Sequence, residues 1–166
     1  MYQSIEQVVG DWNQEAALTL KVFEGLSDAS LKQAVSATRG RTLGELAWHV
    51  ASSPAGILGA AGLQIEGPDF KRPVPESAAE IVDAYRSMSA AVADAFKAQW
   101  TDARLSESLL LFGSMNMTYS GVLTLVVRHQ IHHRGQMTIL MRQADVVPPG
   151  VYGPNEEEAA ARAARG

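Results

Sequence analysis

The apolar residues of the chain recur at spacings of three and four, and Gly, Pro and Ser interrupt them at intervals. This period is typical of amphipathic α-helices, and the alternation expected of half-buried strands is almost absent. The first helix is predicted from about Ile5 to Phe23, ending near Gly25. Residues 27–35 are predicted to form a short helical turn.

The second predicted helix follows Thr42, a favourable N-cap residue, and Glu45 three residues later completes a capping box. This helix continues towards Gly62, and Pro54 inside it predicts a kink or a frayed second half. A third helix is predicted to begin after Ser77. It carries an apolar stripe at helical spacing, formed by Ile81, Tyr85, Met88, Val92, Phe96 and Trp100.

The fourth helix is predicted from Ser120 to about Gln143, with Pro148-Pro149-Gly150 beyond it as the stop signal. Asn155 is predicted to cap a short C-terminal helix within a tail of about residues 147–166. That helix is rich in Ala and Glu and is expected to lie on the surface.

Two stretches do not follow the helical pattern. Residues 66–77 contain the helix breakers Gly67, Pro68, Pro73 and Pro75, so they are predicted to be a crossing connection. Residues 101–119 carry the weakest pattern, and the apolar run 109–112 fits either a short strand or a loop packed over the helices. Four long amphipathic helices with a long crossover between the second and third predict an all-α fold, a four-helix bundle.

Composition narrows the class of protein. A length of 166 residues suits one domain spanning residues 1–166 with a single core. A net charge of −4 argues against a nucleic-acid partner, because phosphate binding needs a basic face. The chain has no cysteine, so any metal must be held by histidine with carboxylate or water.

The chain shows no sign of export or of membrane insertion. Its N-terminus lacks the basic and apolar regions of a signal peptide, and no run of about 18 uncharged apolar residues occurs elsewhere. We therefore expect a cytoplasmic protein with no membrane partner.

Three of the four histidines lie within residues 128–136, inside the fourth predicted helix. With about 100° per residue, His129 and His133 both fall on the arc that faces the core. Histidines four residues apart on one helix present both rings to one point and form a local chelate. His132 falls at the margin of the arc and is not expected to be a ligand.

The same helical geometry predicts the directions of two other side chains in this stretch. Gln136 points inward, where an amide needs a polar partner, and it is the catalytic candidate that supports a ligand or orients a substrate. Arg134 is predicted to point outward or into an interface.

His49 lies on the flank of the apolar arc of the second helix, from where it can reach a neighbouring helix. With His129 and His133 it would form a three-nitrogen set with open coordination positions, which is typical of catalytic metal sites. Two plainer interpretations remain open: the spacing occurs by chance in helices with several histidines, and inward histidines are often hydrogen-bonded core residues. The absence of a Glu next to His129 excludes the H-E-x-x-H metalloprotease motif.

Three segments together resemble the DinB/YfiT-like superfamily of bacterial proteins. They are residues 42–50 around His49, residues 129–136 with the pattern H-x-x-H-H-R-G-Q, and residues 148–154 with the sequence PPGVYGP. The resemblance spans nearly the whole chain. It implies a four-helix bundle with an up-down-down-up course, a homodimer, and a divalent metal bound by His49, His129 and His133.

The resemblance also implies the classes of chemistry to consider. Related proteins are similar to thiol S-transferases, maleylpyruvate-type isomerases or metal-dependent hydrolases, with a transition metal such as Zn, Ni or Fe and, in some, a low-molecular-weight thiol as co-substrate. The leading hypothesis is thus a metal-dependent transferase or hydrolase acting on a small molecule. The alternatives are a non-enzymatic metal-binding or stress-response protein, and a helical bundle whose histidines only bond to one another. Trp12, Phe23 and Trp100 are taken as surplus apolar surface that a dimer would cover.

Overall fold

The computed structural model describes residues 2–38, 40–69 and 71–165. Within these residues the chain forms five α-helices and two short strands. They are α1 (Ile5–Phe23), α2 (Leu43–Ala60), α3 (Ala78–Gln99), β1 (Ser108–Leu111), β2 (Met115–Thr118), α4 (Tyr119–Gln143) and α5 (Glu156–Ala163). Two 3₁₀ turns, Ser30–Lys32 and Asp102–Ser106, complete the order. The prediction of a helical protein is confirmed.

Side-chain caps fix the starts of the helices that position the candidate site. The Thr42 hydroxyl accepts a hydrogen bond from the Glu45 backbone N–H at 3.2 Å, and the Glu45 carboxylate accepts one from the Thr42 N–H at 2.6 Å. The predicted capping box of α2 is therefore confirmed. Helix α4 begins at Tyr119, one residue before the predicted start, because the Thr118 hydroxyl serves as its N-cap.

The predicted disruption at Pro54 was wrong in part, because α2 runs unbroken through Pro54 to Ala60 and does not fray. Pro54 itself is buried, and Ala51 and Leu58 on either side of it are both fully buried. Tertiary packing on both sides of the proline holds the second half of the helix in place despite the lost backbone hydrogen bond.

Residues 108–118 form a small antiparallel hairpin, which decides the alternative left open for this stretch. Ser108 pairs with Thr118 and Leu111 pairs with Met115. The connecting turn uses left-handed backbone at Phe112 and Gly113, with φ of 53° and 71°. Leu111 is buried against the helices, whereas the tip of the hairpin is exposed.

The four long helices surround one core. Helix α1 packs against α3 and α4, and α2 packs against the same two helices. Trp12, Phe23 and Trp100 are 1%, 0% and 5% exposed, so they belong to this core and offer no surface to a second subunit. Among the described residues, no helix is both long enough and apolar enough to cross a bilayer.

Candidate metal centre

Three histidines from two helices meet where α2 packs against α4. The Nε2 atom of His49 lies 3.1 Å from Nε2 of His129, and Nε2 of His133 lies 3.2 Å from that same atom. The potential ligand atoms of all three lie within 4.8 Å of one another. The structure therefore brings together the three histidines named from the sequence, each through the same ring nitrogen.

These distances suit a shared metal ion. Nitrogen ligands at about 2.0–2.1 Å from a transition metal are about 2.8–3.4 Å apart for bond angles between a right angle and the tetrahedral angle. The two Nε2 separations of 3.1 and 3.2 Å fall inside this range. His129 therefore lies at ligand spacing from both other histidines, and all three present ligand atoms within 4.8 Å of one another for a shared divalent transition metal.

The side chain of Gln136 fixes which nitrogen of His133 carries its proton. The amide oxygen Oε1 of Gln136 lies 2.7 Å from Nδ1 of His133. Because that oxygen can only accept, Nδ1 of His133 donates, and its Nε2 presents a lone pair to the cluster. Nε2 of His129 lies beside Nε2 of both other histidines, and it carries either one proton or one lone pair, so it can form a hydrogen bond with only one of them. This argues against histidines that merely bond to one another.

Burial and nearby positive charge keep the cluster neutral. Desolvation above all, together with Arg41 and the neighbouring histidines, lowers the pKa of His49 and of His129 from 6.5 to about 4. Desolvation also lowers the pKa of His133, against the raising effect of its hydrogen bond to Gln136. At neutral pH all three rings are therefore uncharged and able to ligate a cation.

In the protein freed of metal by a chelator, His49 and His129 are expected to titrate near pH 4, where their pKa values lie. In the unfolded chain they titrate near 6.5, so between pH 6.5 and 4 the unfolded state binds more protons. The free energy of unfolding of the metal-free protein should therefore decrease as pH falls through this interval. Titration of the histidine ring signals by NMR measures the pKa values of His49 and His129 directly, and midpoints near 6.5 for both residues would contradict this prediction.

A cavity of about 550 Å³ opens beside the cluster, and His49, His133 and Gln136 line it. This volume lies within the range typical of small-molecule sites. Gln136 is exposed on the cavity wall and is not buried in the core, which corrects the environment expected for it. His132 is exposed and lies outside the group of convergent nitrogens, as the helical wheel predicted.

Arg134 was predicted to point outward or into an interface, and the outward alternative was wrong, because the structure buries this side chain against α1. Its side chain is only 2% exposed, and its Nη2 donates to Oε2 of Glu15 on α1 at 2.7 Å. Its Nη1 donates to the Glu15 backbone carbonyl and to the Thr19 hydroxyl, both at 3.0 Å. A charged partner on another helix makes burial possible, and the pattern within α4 alone could not disclose it.

The tail after α4 closes this buried ion pair. The Tyr152 hydroxyl accepts from Nη2 of Arg134 at 2.6 Å and donates to Oε2 of Glu15 at 2.7 Å. Gly150 has no room for a side chain, because a Cβ there would lie 2.3 Å from the carbonyl oxygen of Gly153. The PPGVYGP segment thus serves to seat Tyr152 over Arg134, a role that sequence analysis did not assign.

Comparison with known proteins agrees with the motif resemblance. The uncharacterized protein YrdA of Bacillus subtilis (strain 168) is 41% identical over 158 residues, covering 95% of this chain and 93% of YrdA. The crystal structure of a DinB-like protein from Bacillus cereus ATCC 10987 matches with a TM-score of 0.86 at 42% identity, over 92% of this chain and 100% of that one.

A more distant relative shares the fold alone. The DinB-like protein YjoA of Bacillus subtilis matches with a TM-score of 0.64 at 17% identity, over 90% of this chain and 99% of YjoA. The sequence model of the DinB family itself matches residues 1–165. With a family match across the chain and relatives above 40% identity over nearly its whole length, the protein belongs to the DinB family.

Proposed function

We propose that this protein is a metal-dependent enzyme that binds one divalent transition metal through His49, His129 and His133 and acts on a small molecule. The observation that carries the proposal is the convergence of three Nε2 atoms at the wall of a cavity of about 550 Å³. Three histidine ligands leave coordination positions free for a substrate, whereas structural sites are closed by four protein ligands.

A divalent metal at this site would supply Lewis acidity, which lowers the pKa of a thiol or water and polarises a carbonyl group. The chain supplies the remaining functions. Gln136 holds the imidazole of His133 in the tautomer that presents Nε2 to the cluster. Packing of α2 against α4 holds His49 facing His129 beside the cavity.

The reaction classes that suit this arrangement are transfer of a low-molecular-weight thiol to an electrophile and hydrolysis of a small molecule. Both need a nucleophile made available near neutral pH, and the chain has no cysteine of its own to provide one. Zn, Ni and Fe all accept imidazole ligands, so the donor set suits each of them.

Removing the amide acceptor should weaken metal binding without removing a ligand. Gln136→Leu is expected to reduce metal affinity roughly 10- to 100-fold, because His133 loses the partner that fixes its tautomer and ring orientation. Gln143→Leu is the matched control, since Gln143 lines the same cavity and has no such contact with a histidine among the described residues. Competition with a chromogenic chelator measures both, and equal affinities for the two variants would contradict this role of Gln136.

The competing proposal is a non-enzymatic metal-binding or stress-response protein. An activity assay on metal-loaded protein distinguishes the enzyme from the binding protein. One panel contains pairs of a thiol and an electrophile, and the other contains small esters and amides. Turnover that disappears in His133→Ala and persists in His132→Ala supports the enzyme. A loaded protein that turns over no member of either panel supports the binding protein.

Three further features belong to the proposal. The helices follow an up-down-down-up course as a four-helix bundle, the protein is a homodimer, and it works in the cytoplasm. The dimer now rests on the family resemblance alone, because Trp12, Phe23 and Trp100 are buried within one chain. Light scattering after size exclusion tests it, and a single species of about 17.8 kDa would contradict it.

A further inference from the structure

The cavity beside the histidines has an apolar wall that the metal site does not need. Leu46 and Leu140 form buried parts of this wall. Val35 and Ile139 lie at its exposed edge and are 49% and 61% exposed. Exposed apolar residues that border a cavity are typical of a surface that a ligand covers.

Arg41 brings a positive charge to the same cavity. No acidic residue lines the cavity in the described part of the chain. Among the residues that the structure describes, no carboxylate lies within salt-bridge distance of Arg41. The nearest acid along the chain, Glu45, accepts the Thr42 N–H at 2.6 Å instead. The cavity is thus positive although the whole protein carries a net charge of −4.

The backbone holds Arg41 at this position. Its carbonyl oxygen accepts from the Val35 N–H at 3.0 Å, and the Leu43 N–H donates to the Gln33 carbonyl at 2.8 Å. The turn between these contacts uses Gly40 with φ of 109°, and a Cβ there would lie 3.2 Å from Cβ of Val35. Arg41 and Val35 are consequently fixed as neighbours at the mouth of the cavity.

From these observations we infer that the cavity binds a small amphipathic carboxylate, with Arg41 recognising the carboxylate and Val35, Leu46, Ile139 and Leu140 contacting its apolar part. A guanidinium matches a carboxylate in a two-point hydrogen-bonded geometry. The inference names a substrate class for the proposed enzyme, and it rests on that proposed function insofar as the ligand lies beside His49 and His133.

The test uses zinc-loaded protein and two ligands of equal length, hexanoate and the neutral hexanamide. Isothermal titration calorimetry compares the wild type with Arg41→Gln and with Arg162→Gln. Arg162 lies on α5 and does not line the cavity, so its substitution makes the same change in net charge away from the site. Arg41→Lys keeps the charge and removes the planar fork.

Hexanoate is expected to bind the wild type and Arg162→Gln equally, and to bind Arg41→Gln roughly tenfold more weakly or worse, with Arg41→Lys between them. Hexanamide should bind weakly to all four proteins. Equal hexanoate affinity in Arg41→Gln and Arg162→Gln, or hexanamide binding as tight as that of hexanoate, would overturn the inference.

Repeating the titration on chelator-treated protein separates this inference from the proposed function. Hexanoate binding that still depends on Arg41 in a protein that takes up no zinc would support the carboxylate site and contradict the metalloenzyme. Uptake of one zinc per chain with no effect of Arg41→Gln on hexanoate binding would support the metal site and overturn the carboxylate site.

Discussion

Replacing Arg134 by Met is expected to lower the free energy of unfolding by about 3–5 kcal/mol. The side chains of Arg134 and Glu15 are 2% and 6% exposed, so neither is hydrated in the folded protein. Removing the guanidinium leaves the Glu15 carboxylate buried with only the Tyr152 hydroxyl as a donor among the side chains described. The uncompensated charge accounts for most of the expected loss.

Thermal unfolding measures this effect. For a protein of this length about 1 kcal/mol corresponds to roughly 2–4 °C, so the transition should fall by roughly 6–20 °C. The double variant Glu15→Met/Arg134→Met is the control, because it removes both charges together. It should be more stable than Arg134→Met alone.

The opposite order of stability would contradict this description of the pair, as would a loss below about 1 kcal/mol for the single variant. Arg134 is also adjacent in sequence to His133, so metal content should be recorded in the same preparations. Folded Arg134→Met protein at low temperature should still bind metal, since Arg134 faces α1 and the tail and not the histidine cluster.

Binding of zinc is expected to raise the thermal transition of the wild type and to leave that of His129→Ala unchanged. A ligand that binds only the folded state adds about 2.7 kcal/mol at a free concentration one hundred times its Kd, which corresponds to roughly 5–10 °C here. His129 is the decisive residue because its Nε2 lies within 3.2 Å of Nε2 on each of the other two histidines.

His132→Ala is the matched control for this experiment. It removes a histidine of the same helix that is exposed and outside the cluster. It should keep the full stabilisation, and a chelator should reverse the shift in both the wild type and this variant. A shift in His129→Ala as large as that of the wild type would show that zinc acts elsewhere on the chain.

Much of this fold follows from local sequence signals. Caps at Thr42, Ser77 and Asn155 combine with helical spacing of apolar residues, and the structure confirms helices that start after all three. The sequence did not decide between a strand and a loop for residues 109–112, because four residues per strand are too few to establish a period. The turn of the hairpin also places Phe112 in a left-handed conformation, which is typical of Gly or Asn.

The histidine cluster was predictable for a different reason. His129 and His133 are a local chelate that depends only on helical geometry, and His49 was added because its helix presents it on the flank of an apolar arc. The contact between α2 and α4 that brings His49 to the other two histidines is tertiary, so the geometry of single helices could not predict it. The family resemblance implied that the three histidines bind one metal together. The spacing gave no information on Arg41, which lies in an irregular segment before α2.

Arg134 shows where reasoning from one helix fails. Its direction on the helix lies outside the core-facing arc that carries His129 and His133. Helix α4 packs against α1 as well as α2, however, so a second face of the helix is also buried. A charged residue on that face is buried only because Glu15 and Tyr152 contact it. Glu15 is 119 residues away along the chain, and Tyr152 is 18 residues away, beyond the end of α4. No local pattern encodes such a partner.

Metal content of tag-free protein, measured by inductively coupled plasma mass spectrometry on the wild type, His129→Ala and His132→Ala, tests the central claim most directly. We expect about one equivalent of a transition metal in the wild type and in His132→Ala, and almost none in His129→Ala. No metal in the wild type, even after incubation with zinc or nickel, would contradict the proposed metal centre.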